Sequence, residues 1–167
     1  MAEAVVTLHP SVAPLVFILS TNDALVARAF EGVTAADHWK QPTPQSNTML
    51  WILGHMVTAR SGLLRLLGDP IDTGLGEAFG RGAERQDPSG YPPADFIFAA
   101  SAAVNARLYA SLNAVTEEAL ARPATRAFTP AVQTLRDQIA FLVMHDTYHV
   151  GQLGYARKAL GYSNIAG

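Results

Sequence analysis

Apolar residues recur at helical spacing through four long stretches of the chain. The first runs from about Ser11 to Gly32, with Leu15, Ile18, Leu19, Asn22, Leu25, Val26 and Ala29 on one stripe. Residues three and four apart share a helix face, so this stripe marks the side turned to a core. Ser11 can cap this helix, Pro14 is tolerated in its first turn, and Gly32 can close it. The second stretch runs from about Thr48 to Leu67, after a Ser46-Asn47 cap, and stops at Gly68. Its stripe is Ile52, His55, Ala59, Leu63 and Leu66. The third extends from about Pro93 to Val115, with Phe96, Ala99, Ala100, Ala103, Leu108 and Leu112 as packing positions. Thr116 to Arg122 adds a short helical turn capped by Thr116. The fourth runs from about Val132 to Leu160, placing Leu135, Ile139, Leu142, His145, His149, Gln152 and Ala156 along one broad stripe. No segment sustains apolar–polar alternation, so strands are not expected.

Two connections break this pattern. Thr34 to Asn47 holds Trp39, Pro42 and Pro44 and reads as an irregular loop. Gly68 to Pro92 holds six glycines, together with Pro70, Pro88 and Pro92, and reads as a structureless connection. Connections of that length in a compact domain are often functional or mobile. This one is long enough to cross a bundle end and let the second and third helices run parallel. The pattern predicts one all-α domain over residues 1–167, a four-helix bundle with a long crossover between helices two and three.

Composition narrows the function classes. Hydrophobic residues make up 49% of the 167 and charged residues 16%, which describes a buried core rather than disorder. The net charge is −2 and Lys and Arg form no run, so no nucleic-acid-binding face is expected. The chain has no cysteine, which excludes disulfides, Cys-ligated zinc and a thiol nucleophile of its own. Thiol chemistry would require a thiol brought by a substrate or cofactor. The apolar run from Val12 to Leu19 is too short to span a bilayer. Glu3 precedes it without a basic segment, so neither a signal peptide nor a membrane partner is expected, and the cytoplasm is the default location.

The chemistry concentrates near the C-terminus. His145 and His149 stand four residues apart, so their imidazoles lie on one helix face and can converge on one metal ion. His55 falls on the inward stripe of the second helix. A single inward histidine is as readily a hydrogen-bonded core residue. Three of them on two facing helices form a candidate three-nitrogen site, of the kind bundle cores build. Three protein ligands leave positions open for water or substrate, as catalytic sites do. Nitrogen ligands suit Zn, Ni, Fe or Co and do not choose among them. His9 and His38 lie in terminal or loop sequence and are assigned surface or capping roles.

Asn47-Thr-Met-Leu-Trp-Ile-Leu-Gly-His55, followed at a distance by His145-x-x-x-His149-x-Gly-Gln152, resembles the DinB/YfiT-like superfamily of metal-binding four-helix bundles. The resemblance extends over the Trp39-Lys-Gln-Pro42 loop, the second helix, the crossover and the final helix. It implies an up-down-down-up bundle, a divalent metal on His55, His145 and His149, and homodimers. It also implies thiol-dependent transferase or isomerase activity with a low-molecular-weight thiol, although many members have no known reaction.

Gln152, three residues beyond His149, is a candidate to orient water or substrate, or to make a helix–helix hydrogen bond. Asp146 gives His145-Asp-x-x-His149 a peptidase-like spacing, with the carboxylate as a candidate general base. Against this, Asp is one methylene shorter than Glu and no peptide-binding strand is present. A contact behind the ligands or a solvated surface is the competing reading. Trp51 and Tyr148 are candidates for the pocket mouth or for packing, and Gly151 and Gly154 for close helix approach. The expected function is a metal-dependent enzyme on a small molecule, first a thiol-dependent transferase. The alternatives are a hydrolase using metal-activated water and a non-enzymatic, dimeric metal-binding stress-response protein.

Overall fold

The computed structural model describes residues 8–84, 86–126 and 128–166. Among these residues seven α-helices follow in chain order: α1 (Ala13–Phe30), α2 (Ala35–His38), α3 (Met49–Leu66), α4 (Gly76–Phe79), α5 (Ala94–Asn113), α6 (Glu117–Leu120) and α7 (Leu135–Ala159). Among the described residues there is no strand, only an isolated bridge between Pro123 and Thr134. Threonine hydroxyls start four of the helices. Thr34, Thr48, Thr116 and Thr134 each accept a hydrogen bond from the backbone N–H three residues on, satisfying donors a helix leaves orphaned. Thr134 and Asp137 complete a reciprocal capping box. Gly32 and Gly68 adopt φ of 70° and 84° just past α1 and α3, a left-handed turn that a Cβ would strain.

Residue pairs between the four long helices give their relative directions. Asn22 meets Asp146 and Ala29 meets Arg157, so α1 and α7 ascend together. Arg60 meets Asp146 and His55 meets His149, so α3 opposes α7. Arg60 meets Asn105, and Asp69 meets Arg107 and Ser111 further on, so α3 and α5 share a direction. Between them lies a core of Leu19, Leu53, Val57, Leu64, Val104, Leu108, Leu112, Ile139 and Val143. Each such side chain contributes about 1.5–3 kcal/mol by leaving water.

A polar network crosses this core. The Arg60 guanidinium donates from Nε and Nη2 to the two Asp146 oxygens, both at 2.8 Å, and from Nη1 to Asp23 at 2.6 Å. Asn22 Nδ2 donates to Asp146 at 2.9 Å, and the Tyr109 hydroxyl donates to Asp23 at 2.6 Å. Arg60 and Asp146 are 6% and 4% exposed, so neither has water as an alternative partner. Burial works against the Arg60 charge, and the two carboxylates overcome it and hold its pKa above the ordinary value.

Several expected details differ. Thr34 to Asn47 is not wholly irregular, because α2 occupies part of it. Residues 68–92 are not structureless either. They contain α4 and a 3-10 turn at Pro88–Gly90, and Leu75 and Phe79 from this segment are fully buried. Thr48, rather than Ser46-Asn47, caps α3, and Ser11 caps nothing; its N–H donates to His9 Nδ1 in the turn before α1. On α5 the inward stripe is Ile97, Val104, Leu108 and Leu112, leaving Phe96 half exposed. Alanines on every side of α5 left its stripe ill-determined, and Phe96 lies one residue off, about 100° around the axis. Ile18 is likewise partly exposed. By length and composition α1 suffices to cross a membrane, which the run from Val12 to Leu19 alone did not suggest. Its Asn22 and Asp23 are bound into the network above, which fixes α1 as a wall of the bundle.

Replacing Arg60 with Met strands a buried carboxylate. The expected loss is about 3–5 kcal/mol in chemical denaturation. Adding Asp146→Leu to that variant should recover most of it. A double variant no more stable than Arg60→Met would refute the pairing account.

Candidate metal centre

His55 enters from the first half of α3, and His145 and His149 from the middle of α7. One ligand-capable nitrogen from each lies within 4.8 Å of the other two. The expected trio is therefore brought together.

Neighbours decide which nitrogens are free. His55 Nδ1 lies 2.7 Å from the Phe79 carbonyl oxygen, which only accepts, so the ring proton sits on Nδ1 and Nε2 keeps its lone pair. His149 Nδ1 lies 2.7 Å from Gln152 Oε1, and Gln152 Nε2 donates to the Tyr148 hydroxyl at 3.1 Å. The amide oxygen thus accepts from His149 Nδ1–H and leaves that Nε2 bare as well. His145 Nε2 is 3.1 Å from His149 Nε2, while His145 Nδ1 is buried without a partner. If His145 carries its proton on Nε2, it donates to His149 and buries a bare acceptor at Nδ1. If it carries it on Nδ1, bare lone pairs face each other at Nε2. A cation among the three Nε2 atoms resolves the second arrangement. Metal-ligating histidines characteristically donate their other ring N–H to a carbonyl or carboxylate, as His55 does here. The donor set fits a divalent transition metal.

Burial favours the neutral form of His145 and His149, the form a ligand must take. Desolvation pushes the His149 pKa down to about 4; Gln152 opposes the shift, and His145 and His55 add to it. His145 is also lowered, first by desolvation and then by His55.

The walls explain His55. Trp51, one turn earlier, stacks on its ring at 5.2 Å and 7° between planes. Gly54 beside it is required by Phe79, whose ring atoms come within 2.6 Å of where a Cβ would be. The missing side chain lets α4 dock against α3 and present the Phe79 carbonyl to His55. Gln152 bonds His149 and Tyr148 of its own helix, so here it orients a candidate ligand ring and makes no helix–helix hydrogen bond among the described residues. Of the readings open for Asp146, the structure places it behind the ligands rather than on a solvated surface: both its oxygens are engaged by Arg60 and Asn22 in the core. Tyr148 is 60% exposed and meets His149 edge-on. Gly151 faces open space, and Gly154 makes room for Ile165 of the C-terminal tail, so neither serves helix–helix approach. His38 is half-buried rather than fully on the surface. It sits edge-on to Phe30 and Phe98 with both nitrogens buried and unpartnered.

Phe79, Gly54 and Arg60 went unassigned in the sequence. A glycine inside a long helix costs about 1 kcal/mol relative to Ala and signals a close approach, and Gly54 carried that signal.

The DinB superfamily model matches residues 18–153, and the chain belongs to that superfamily. A solved structure of a conserved protein from Enterococcus faecalis shares its fold, with a TM-score of 0.68 at 15% identity, covering 95% of this chain and 98% of that one. No curated protein matches the chain.

Two outcomes follow from the geometry. Between pH 6.5, the ordinary histidine value, and about 4, the unfolded chain binds a proton that folded His149 refuses. Stability of metal-free protein should therefore be full above pH 6.5 and fall as pH drops toward 4, with His149→Gln flattening the slope in denaturant titrations. A slope unchanged in that variant would remove His149 as its source. Gly54→Ala should displace Phe79, cost about 1–3 kcal/mol of stability and weaken metal affinity, read by competition with a chelator. Unchanged metal affinity would show that the carbonyl does not orient His55.

Proposed function

We propose that this DinB-superfamily protein is a cytoplasmic, metal-dependent transferase that uses a small-molecule thiol. The observation that carries the reading is the convergence of three histidine nitrogens, two of them Nε2 atoms left bare because the opposite ring nitrogen is tied to a fixed acceptor. His55, His145 and His149 would hold the ion. Zn, Ni and Fe all accept such donors, and three imidazoles do not select among them. A bound divalent metal would supply Lewis acidity that lowers the pKa of a thiol entering the site.

The chain's own residues favour a thiol over water. Asp146, the carboxylate beside His145 in the chain, is occupied by Arg60 and offers no free base. A thiol with an ordinary pKa near 8.5 needs a far smaller shift than water at 15.7 to ionise near neutrality. The chain has no cysteine, so the thiol must come from solution, and reduced small thiols belong to the cytosol. Gln152 and Tyr148 fix the His149 ring, and Trp51 shields His55. Homodimerisation belongs to the same proposal. Met144, Tyr148 and Tyr155 form an exposed stripe on α7 that a second copy would cover.

Protein purified without added metal should contain near-stoichiometric metal by elemental analysis, and His55→Ala, His145→Ala and His149→Ala should each lose it. Metal surviving in all three would sink the site. A panel of electrophiles should turn over with bacterial thiols and lose turnover in the same variants. Esters or amides hydrolysed at equal rates without thiol would favour the hydrolase instead.

A further inference from the structure

A cavity of about 150 Å³ is lined in part by Trp51, the residue stacked on His55. Such a volume admits a group of about benzene's size. Its walls include Trp39, Trp51 and Tyr91, and its polar edge includes Gln41, Asn47 and Asp87. Asp87 is the one charged side chain among the described lining residues, and it has no ion-pair or hydrogen-bond partner among the described residues. Each indole has a single stacked neighbour: Trp39 lies on Tyr91 at 4.9 Å and Trp51 on His55.

Aromatic faces attract cations through the ring quadrupole, and an unpaired carboxylate adds charge of the same preference. An anionic ligand would meet only repulsion from Asp87. We propose that this cavity is a subsite for a small organic cation, an alkylammonium group carried by the molecule on which the protein acts. As a substrate subsite it rests on the enzyme reading above; as a cation site it does not. The cavity is tied to the metal centre on two sides. Trp51 stacks on His55, and Tyr91 stacks at 5.2 Å on Phe79, whose carbonyl accepts from His55. An occupant would therefore touch one support of that imidazole, Trp51, directly and reach the other, Phe79, only through Tyr91.

The chain has two tryptophans, Trp39 and Trp51, and both line the cavity, so intrinsic emission reports its occupancy. Metal-free protein is titrated at constant ionic strength with choline and with 3,3-dimethylbutan-1-ol, its uncharged isostere. Choline should give a saturable change at about tenfold lower concentration than the alcohol. Asp87→Asn, an exposed loop change, should weaken choline by about the same factor and bring the two ligands to parity. Equal affinities in the wild type, an unaffected Asp87→Asn variant, or no saturable change would each overturn the proposal. His145→Ala should bind choline as the wild type does. Choline binding in a protein that holds no metal would sink the enzyme reading alone, and metal without choline binding would sink the cation site alone.

Discussion

One guanidinium holds the bundle together. Arg60 on α3 reaches Asp146 on α7, Asp23 on α1 and Asn105 on α5, so a single buried side chain is bonded to the other three long helices. Such an arrangement is directional where apolar packing is not. A leucine core tolerates helices that slide or rotate by a few degrees, whereas a two-pronged guanidinium–carboxylate pair tolerates neither. Asp146 stands next to His145 in the chain, and Arg60 lies on the same helix as His55. The pair thereby sets the register of α3 against α7, on which convergence of the three imidazoles depends.

The metal ligands were legible because histidine at four-residue spacing on an apolar stripe is unusual, and because both stripes had clear periods. The four long helices were legible for the same reason. Arg60 was hidden, since an arginine on a helix ordinarily reaches solvent and only the three-dimensional meeting with Asp23 and Asp146 brings it inside. Asp146 misled in the opposite sense: its spacing suggested catalysis, and its partner, 86 positions away, was invisible. The Phe79 carbonyl could not be read at all, because a backbone oxygen carries no residue identity. The order within residues 68–92 was masked by glycine, although Leu75 and Phe79 were apolar anchors in plain view.

The site divides its labour between two kinds of structure. The long helices supply the nitrogens and, by burying His145 and His149, favour the neutral form of those two rings. Shorter segments supply the rest. α2 and the turn after it bring Trp39, α4 brings the carbonyl that sets the His55 tautomer, and the 3-10 turn brings Asp87 and Tyr91. Fixed ring tautomers are what separate a ligand set from three histidines that happen to be close. Here two of the three are determined by an oxygen atom that can only accept.

Because α3 and α5 run the same way, the chain must travel back along the whole of α3, about 27 Å, before α5 can begin. That return is a strap laid over the helix that carries His55. It makes its anchorage through a few apolar residues and otherwise lies outside the bundle core. Away from Leu75 and Phe79, changes of length or composition in it can therefore reshape the chamber while leaving the nitrogen cluster intact. A scaffold so arranged lets one metal centre be refitted for different molecules, with the selective part of the protein free to diverge faster than the part that holds the ion.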